Sequence, residues 1–311
     1  MAPAISVITT VFNKEETISA CVSSILNQNY ADFELIIVDD GSTDTSPAKI
    51  ATYLRDNRIR TFQTNHIGHS GAKNKGAENA NGEILYFIDA DCVADRECLG
   101  RLKMDFDQSD VSCVGGEHTA LNKDKLIPRV IDIWEPHPPL QPPGANVAYR
   151  KEAFERAGGF DETIQYGEDQ DLYWRIRKLG FKCSIDPTVK IGIGHPPTVL
   201  GFLGERFHWG IGYAQVAERH PEFRDKEIHA SFRLFSLTLL SLLLILLDLR
   251  LALIFFALCA FVVLRYARLG RFLAKNSGRL SYWRILALVK FLHDLAYYVG
   301  YYYWKFLRLI K

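Results

Sequence analysis

Three short apolar runs, Ile5-Ser6-Val7-Ile8, Leu35-Ile36-Ile37-Val38 and Tyr86-Phe87-Ile88, punctuate the first part of this 311-residue chain. Between the first two, Ile18, Cys21, Val22, Ile25 and Leu26 recur at spacings of three and four, which is one face of an amphipathic helix. Continuous apolar strands that alternate with helices imply a parallel sheet covered on both faces. Asn13, with Glu16 three residues on, has the pattern of a capping box for the first helix. In such α/β sheets, ligands bind at the carboxyl ends of the strands.

Acids stand at those ends. The second run stops at Asp39-Asp40-Gly41-Ser42 and the third at Asp89-Ala90-Asp91. If the backbone stays extended, Asp89 and Asp91 point to one side of the sheet. Two hard oxygen ligands at that spacing can hold a divalent cation, Mg²⁺ or Mn²⁺, which in turn neutralises a diphosphate. Four acids gathered at one sheet edge would repel one another unless a cation or a ligand's donors offset them. A glycine-rich basic loop, which a sugar nucleotidyltransferase would be expected to carry after its first strand, is missing from Thr9-Thr10-Val11-Phe12-Asn13.

Six segments together carry a family likeness: Val11-Phe12-Asn13-Lys14-Glu15-Glu16, Val38-Asp39-Asp40-Gly41-Ser42-Thr43-Asp44, Asp89-Ala90-Asp91, Gly144-Ala145-Asn146, Gly158-Gly159-Phe160-Asp161-Glu162 and Gly167-Glu168-Asp169-Gln170-Asp171-Leu172. In order and approximate spacing they resemble the family 2 inverting glycosyltransferases, over roughly residues 4–215. The resemblance implies a GT-A, Rossmann-like α/β fold with a mostly parallel sheet flanked by helices. It also implies roles. Asp39 and Asp40 match the acids that read the base and ribose of a nucleotide, a task suited to a carboxylate that accepts from N–H and O–H groups. Asp91 matches the metal-contacting acid, while Asp89 orients the ribose or a metal-bound water. Lys73, in Ala72-Lys73-Asn74, stands where many members carry arginine; it keeps the charge near the nucleotide but loses the bidentate fork.

Gly167-Glu168-Asp169 matches the family's catalytic motif. A neutral hydroxyl is a poor nucleophile and requires a positioned base. The resemblance assigns that task to Asp169, with Glu168 contacting the acceptor or positioning the loop. Asp171 is read as serving the start of a helix, where acids complement the dipole. Inversion follows if the acceptor oxygen attacks opposite the departing diphosphate. His195, which closes Ile191-Gly192-Ile193-Gly194, is a candidate further metal ligand, and Arg206 a candidate diphosphate contact. The proline-rich stretch Glu135–Pro143 reads as a stiff loop near the acceptor.

The charge balance then reverses. Residues 1–222 hold 23 Lys and Arg against 32 Asp and Glu, a net of −9, whereas residues 223–311 hold 14 against 4, a net of +10. Residues 232–264 are almost wholly apolar, with Asp248-Leu249-Arg250 between two arms that are each slightly short of a span, so two short spans or a re-entrant hairpin are both compatible. Arg265, Arg268, Arg271, Lys275 and Arg279 follow and belong on the cytoplasmic side by the positive-inside rule. Residues 283–311 are rich in tyrosine and carry Lys290, His293 and Asp294, which suits an interfacial helix. Six scattered cysteines without C-x-x-C pairs fit a reducing compartment, and the opening residues lead straight into a strand rather than a signal peptide.

The expected organisation is a nucleotide-sugar-binding half (1–115), an acceptor half carrying the base (116–222), and membrane-anchoring helices (223–311). The expected protein is a metal-dependent inverting glycosyltransferase at the cell membrane, its catalytic domain facing the cytoplasm. It takes one sugar from a nucleotide-sugar donor, a UDP-sugar by preference, to a hydroxyl of a lipid-linked or membrane-proximal glycan. A polyprenyl phosphate acceptor and a non-enzymatic nucleotide-binding membrane scaffold are the alternatives; the expected partners include membrane lipid but no nucleic acid.

Overall fold

The computed structural model describes residues 2–135, 139, 141–223, 235–238, 240, 252–276 and 282–310, with backbone alone for 252–255 and 283. They form two compact units, one of residues 1–121 with 136–194, the other of 122–135 with 195–311.

The first unit is built on one eight-stranded sheet. Strands β1 (Ile5–Val11), β2 (Phe33–Asp39), β3 (Ile59–Gln63) and β4 (Ile84–Ile88) are joined by helices α1 (Ile18–Leu26), α2 (Ser46–Ala51) and α3 (His69–Glu78). There follow β5 (Cys92–Ala94), α4 (Cys98–Gln108), β6 (Cys113–Ala120), β7 (Asn146–Arg150), α6 (Lys151–Arg156), α7 (Glu168–Lys178) and β8 (Cys183–Ile193). The α5 label belongs to Leu126–Trp134, which lies in the second unit.

The strand order is β3-β2-β1-β4-β7-β6-β8-β5. The pairs β1/β2, β2/β3, β1/β4 and β6/β8 are parallel, as the apolar runs imply, and every residue of β1 and β2 is buried. β7 runs antiparallel to both β4 and β6, and β5 antiparallel to β8, so the sheet is mixed. The two expected halves thus share one sheet. Its faces carry separate apolar clusters: Val7, Val22, Leu35, Tyr86 and Leu102 on one, and Ile8, Val38, Phe87, Phe154 and Leu172 on the other. Burial of that much apolar surface, at roughly 25 cal/mol per Å², is what holds the strand ends in register.

Two local expectations change. Asn13 does not cap α1; Thr17 holds that position, and Asn13, at φ 52°, accepts instead from the Thr43 and Asp44 backbone N–H groups. A side chain that can satisfy two donors of a neighbouring loop is drawn away from the helix end. Nor does β4 run on to Asp91: it ends at Ile88, and Cys92 N donates to Asp89 O, closing a turn that aims the two carboxylates separately.

In the second unit, α5 is accompanied by α8 (Val199–Arg219), α9 (Ala252–Asn276) and α10 (Trp283–Leu309). Ile127, Val130, Ile131, Phe202, Ala274, Leu286 and Val289 form its main apolar cluster. α8 and α10 meet at glycines. A Cβ on Gly210 would lie 2.0 Å from Tyr297 O, and one on Gly300 2.0 Å from Phe207 O, so only glycine allows the two backbones this approach. Residues 195–222, expected with the acceptor half, therefore belong with the C-terminal helices. Among the described residues no helix is long and apolar enough to cross a membrane. Much of the expected hairpin (232–234, 239 and 241–251), together with Arg279 and residues 136–138 and 140 of the proline-rich stretch, lies outside the described residues.

Candidate functional site

A pocket of about 370 Å³ opens at the carboxyl ends of β1, β2 and β4, where the topology directs ligands. Asp40, Asp89 and Asp91 line it with Lys14, His66 and His69. Asp40 is buried and fully engaged: Oδ1 accepts from Thr64 Oγ1 (2.6 Å) and Ile67 N (2.7 Å), and Oδ2 from Gly68 N (2.9 Å). It thereby shapes the loop that enters α3. Asp39 accepts from Ser42 N (3.0 Å) and does not line the pocket. At the rim, Phe12 and His66 place their rings 4.3 Å apart, both well exposed, a surface on which a flat base could stack.

Beneath the rim lies a buried charge network. Lys73, 3% exposed, sits with Nζ 3.6 Å from Asp89 Oδ1 and 3.4 Å from Glu168 Oε1, over the Phe160 ring. Burial acts to lower its pKa, but Asp89, Glu168 and Asp169 outweigh that and leave it raised. Lys73, expected to contact the donor, here places its ammonium between two carboxylates. His69 joins them, with Nε2 3.5 Å from Glu168 and 3.8 Å from Asp89, and Nδ1 3.2 Å from Thr10 Oγ1.

Gly167, in the left-handed region at φ 86°, turns the chain into α7, whose first turn carries Glu168, Asp169 and Asp171. These three have different environments. Asp171 is buried against the Arg175 guanidinium of its own helix (2.7 Å). Burial pushes Glu168 up, yet Lys73 and then His69 bring its pKa below the usual range. For Asp169, burial and the neighbouring Glu168 charge push the carboxyl up to about 6. Asp169 Oδ2 accepts from Gly144 N (2.9 Å), and a Cβ on Gly144 would lie 2.8 Å from that same oxygen. The result is an ionised acid beside one poised near neutrality, the separation that acid–base chemistry uses.

The donor set also fits a divalent cation. Asp89 Oδ1 accepts no hydrogen bond, its nearest cations being Lys73 at 3.6 Å and His69 at 3.8 Å, and Asp89 and Asp91 line the same pocket. Among the described residues no group of three or more His, Cys, Asp or Glu could hold a metal. Two carboxylates suit a cation whose remaining positions are filled by phosphate oxygens and water. His195 belongs to the second unit, buried and with its backbone held on both sides by Asn122. Arg206, expected to touch a diphosphate, is also in the second unit and fully buried. Its guanidinium pairs with Glu135 (3.2 Å) and lies 3.8 Å from the Trp209 ring, between Trp134 and Phe202. A side chain held this way is a structural cation.

Sequence reasoning passed over Lys14, His66 and His69. Lys14 stood inside the Val11–Glu16 segment without a role, whereas His66 and His69 fall outside all six segments and reach the pocket only through the fold.

Residues 6–158 match the family described as "Glycosyl transferase family 2", and residues 84–274 match "Glycosyl transferase family group 2". The uncharacterized glycosyltransferase EpsJ of Bacillus subtilis is 31% identical over 187 residues, 54% of each chain. Escherichia coli WfgD, a UDP-Glc:alpha-D-GlcNAc-diphosphoundecaprenol beta-1,3-glucosyltransferase, is 30% identical over 131 residues, 41% of this chain and 50% of its own. The chain thus spans about half the length of these curated relatives. Its fold is similar to that of mannosyltransferase PcManGT from Pyrobaculum calidifontis, solved with GDP-Man and Mn²⁺. The TM-score is 0.65 at 19% identity, covering 97% of this chain and 87% of that one.

Proposed function

From the premise that this chain belongs to glycosyltransferase family 2, with a GT-A-like fold, we propose that it transfers a single sugar, with inversion, from a nucleotide-diphosphate sugar to a hydroxyl of a lipid-linked or membrane-proximal glycan. One observation carries this reading. Lys73 is shared between Asp89, on the donor side, and Glu168, next to the base, so the two groups the reaction must bring together are joined by one buried ammonium.

The residues divide the work. Asp40 and the Phe12–His66 rings frame the nucleotide end of the pocket. Asp89 and Asp91 would hold Mg²⁺ or Mn²⁺, and when bound the cation supplies positive charge against the diphosphate leaving group. Asp169, held by Gly144 N and raised to about 6, takes the proton from the acceptor oxygen. Ionised Glu168 and Lys73 fix its position and charge environment. A UDP-sugar is the preferred donor, since the relative WfgD is named for UDP-Glc; the GDP-Man complex of PcManGT makes GDP-sugars the competitor. WfgD's diphosphoundecaprenol acceptor favours a lipid-linked acceptor for this chain too.

Membrane attachment belongs to the same proposal. α9 exposes Phe256, Phe261, Val263 and Leu264 next to Arg265, Arg268 and Arg271, the combination that seats a helix at an anionic lipid surface. The basic cluster supports an active site on the cytoplasmic side.

The test is calorimetric titration of the full chain with UDP and with GDP, each with and without Mn²⁺. Cation-dependent binding of one nucleotide, lost in Asp91→Ala, is the expected result. Failure of folded wild type to bind either nucleotide would overturn the donor-site reading and leave a scaffold.

A further inference from the structure

Lys14 has no assigned duty, yet the chain aims it carefully. Asn13 Oδ1 accepts from Thr43 N and Asp44 N, Lys14 N donates to Ser46 Oγ (2.9 Å), and Glu15 Oε2 accepts from Thr45 N (3.0 Å). Residues 13–15 are thus fastened to the loop after β2 and to the first residue of α2, and the Lys14 side chain lines the pocket. Its Nζ rests 2.5 Å from Asp91 Oδ2, with the lysine 40% and the aspartate 27% exposed. This is the carboxylate that a divalent cation would use.

An ammonium and a divalent cation placed against the same carboxylate oxygen repel each other, and that repulsion offsets part of what each gains from it. A cation arriving alone must strip Lys14 from Asp91 and finds only two protein carboxylates in return. A cation arriving with a nucleoside diphosphate meets a different balance: the phosphates complete its coordination and also offer Lys14 a new anion. The flexible four-carbon stem and partial exposure of Lys14 permit the move.

We propose that Lys14 is an exchangeable counterion that occupies the cation's position on Asp91 until a nucleoside diphosphate draws it away, so that cation and nucleotide bind with positive coupling through this one side chain. The inference rests on the donor-site reading above. Coupling of this kind is reciprocal, and on the order of tenfold is typical.

The experiment measures Mn²⁺ binding through the electron paramagnetic resonance signal of free Mn²⁺, with and without UDP or GDP. Wild type, Lys14→Met and Lys14→Arg are compared, and folding of each is checked by circular dichroism. Wild type is expected to bind Mn²⁺ weakly alone and roughly tenfold more tightly with the nucleotide. Lys14→Met should bind Mn²⁺ alone several-fold more tightly than wild type and keep only the smaller enhancement that phosphate coordination supplies, while Lys14→Arg retains the full wild-type enhancement. Mn²⁺ binding by Lys14→Met that is unchanged or weaker, or an enhancement as large as that of wild type, overturns the counterion role but leaves the donor site standing. Absence of Mn²⁺ binding to wild type with either nucleotide overturns the donor-site reading, and the counterion role falls with it.

Discussion

Each unit sets a lysine against acid inside the fold, Lys73 buried and Lys290 half-buried, and the two clusters behave in opposite ways. In the second unit, Asp294 accepts from Tyr266 Oη (2.6 Å), pairs with Lys290 and lies 2.8 Å from His293 Nδ1. Burial alone would raise its pKa, but His293 and Lys290 carry it well below the carboxylate range. The charge is satisfied where it stands. In the first unit Lys73 serves two acids at 3.4–3.6 Å, Asp89 Oδ1 makes no hydrogen bond, and Asp169 is left with a raised pKa. That network borders a pocket of about 370 Å³. A buried ion pair by itself is therefore no sign of a site; an incompletely satisfied one beside a cavity is.

The comparison breaks most visibly at Asp169. Asp169→Asn should lower sugar transfer by roughly 10²–10⁴-fold, the usual contribution of a general base, with nucleotide binding retained. The same substitution should stabilise the fold. The folded-state pKa of Asp169 lies above its unfolded value of 3.8, so the native state binds more protons between about pH 4 and 6, and stability falls as pH rises through that window. Above pH 6 the penalty is complete, on the order of 2–3 kcal/mol. Thermal melts should show Asp169→Asn above wild type at pH 8, with the gap closing towards pH 4.

Asp294→Ala should do the reverse. Removing that acid leaves the half-buried Lys290 and the Tyr266 hydroxyl without their partner, at a cost of about 1–3 kcal/mol in urea unfolding, while nucleotide affinity of the folded fraction stays unchanged. Equal loss of nucleotide binding would erase the distinction between the clusters. A smaller contrast lies in two glycines. Gly144→Ala and Gly210→Ala both force a Cβ into close contact, with Asp169 and with Tyr297 O respectively, and each should cost about 1–3 kcal/mol. Only Gly144→Ala should also reduce turnover, because the atom it displaces belongs to the base.

The same contrast explains what could be read from sequence. The apolar runs at Ile5, Leu35 and Tyr86 located β1, β2 and β4, because a strand buried on both faces needs a continuous apolar stretch whatever its neighbours are. Asp40, Asp89 and Asp91 followed, since strand ends define the pocket mouth. The antiparallel insertion of β7 between β4 and β6 was not legible; it pairs Ile84 with Arg150 and Cys113 with Tyr149, partners too distant in sequence to leave a local trace. The surroundings of Lys73 and Arg206 were not legible, for a shared reason. A cation near a motif reads as a ligand contact, but whether its charge is free depends on which acids and rings packing places around it. Asn13 read as a helix cap because the loop it clamps lies 30 residues away.

The most direct test is the pH profile of nucleoside diphosphate release from the donor sugar, measured on wild type, Lys73→Met and Lys290→Met. Wild type should lose activity as pH falls through about 6, where Asp169 takes up its proton. Lys73 opposes that protonation, so Lys73→Met should move the ascending limb to higher pH, whereas Lys290→Met should leave it in place. A wild-type profile flat through pH 6, or a limb that Lys73→Met does not move, would contradict the assignment of Asp169 as a base poised by the Lys73–Glu168 pair.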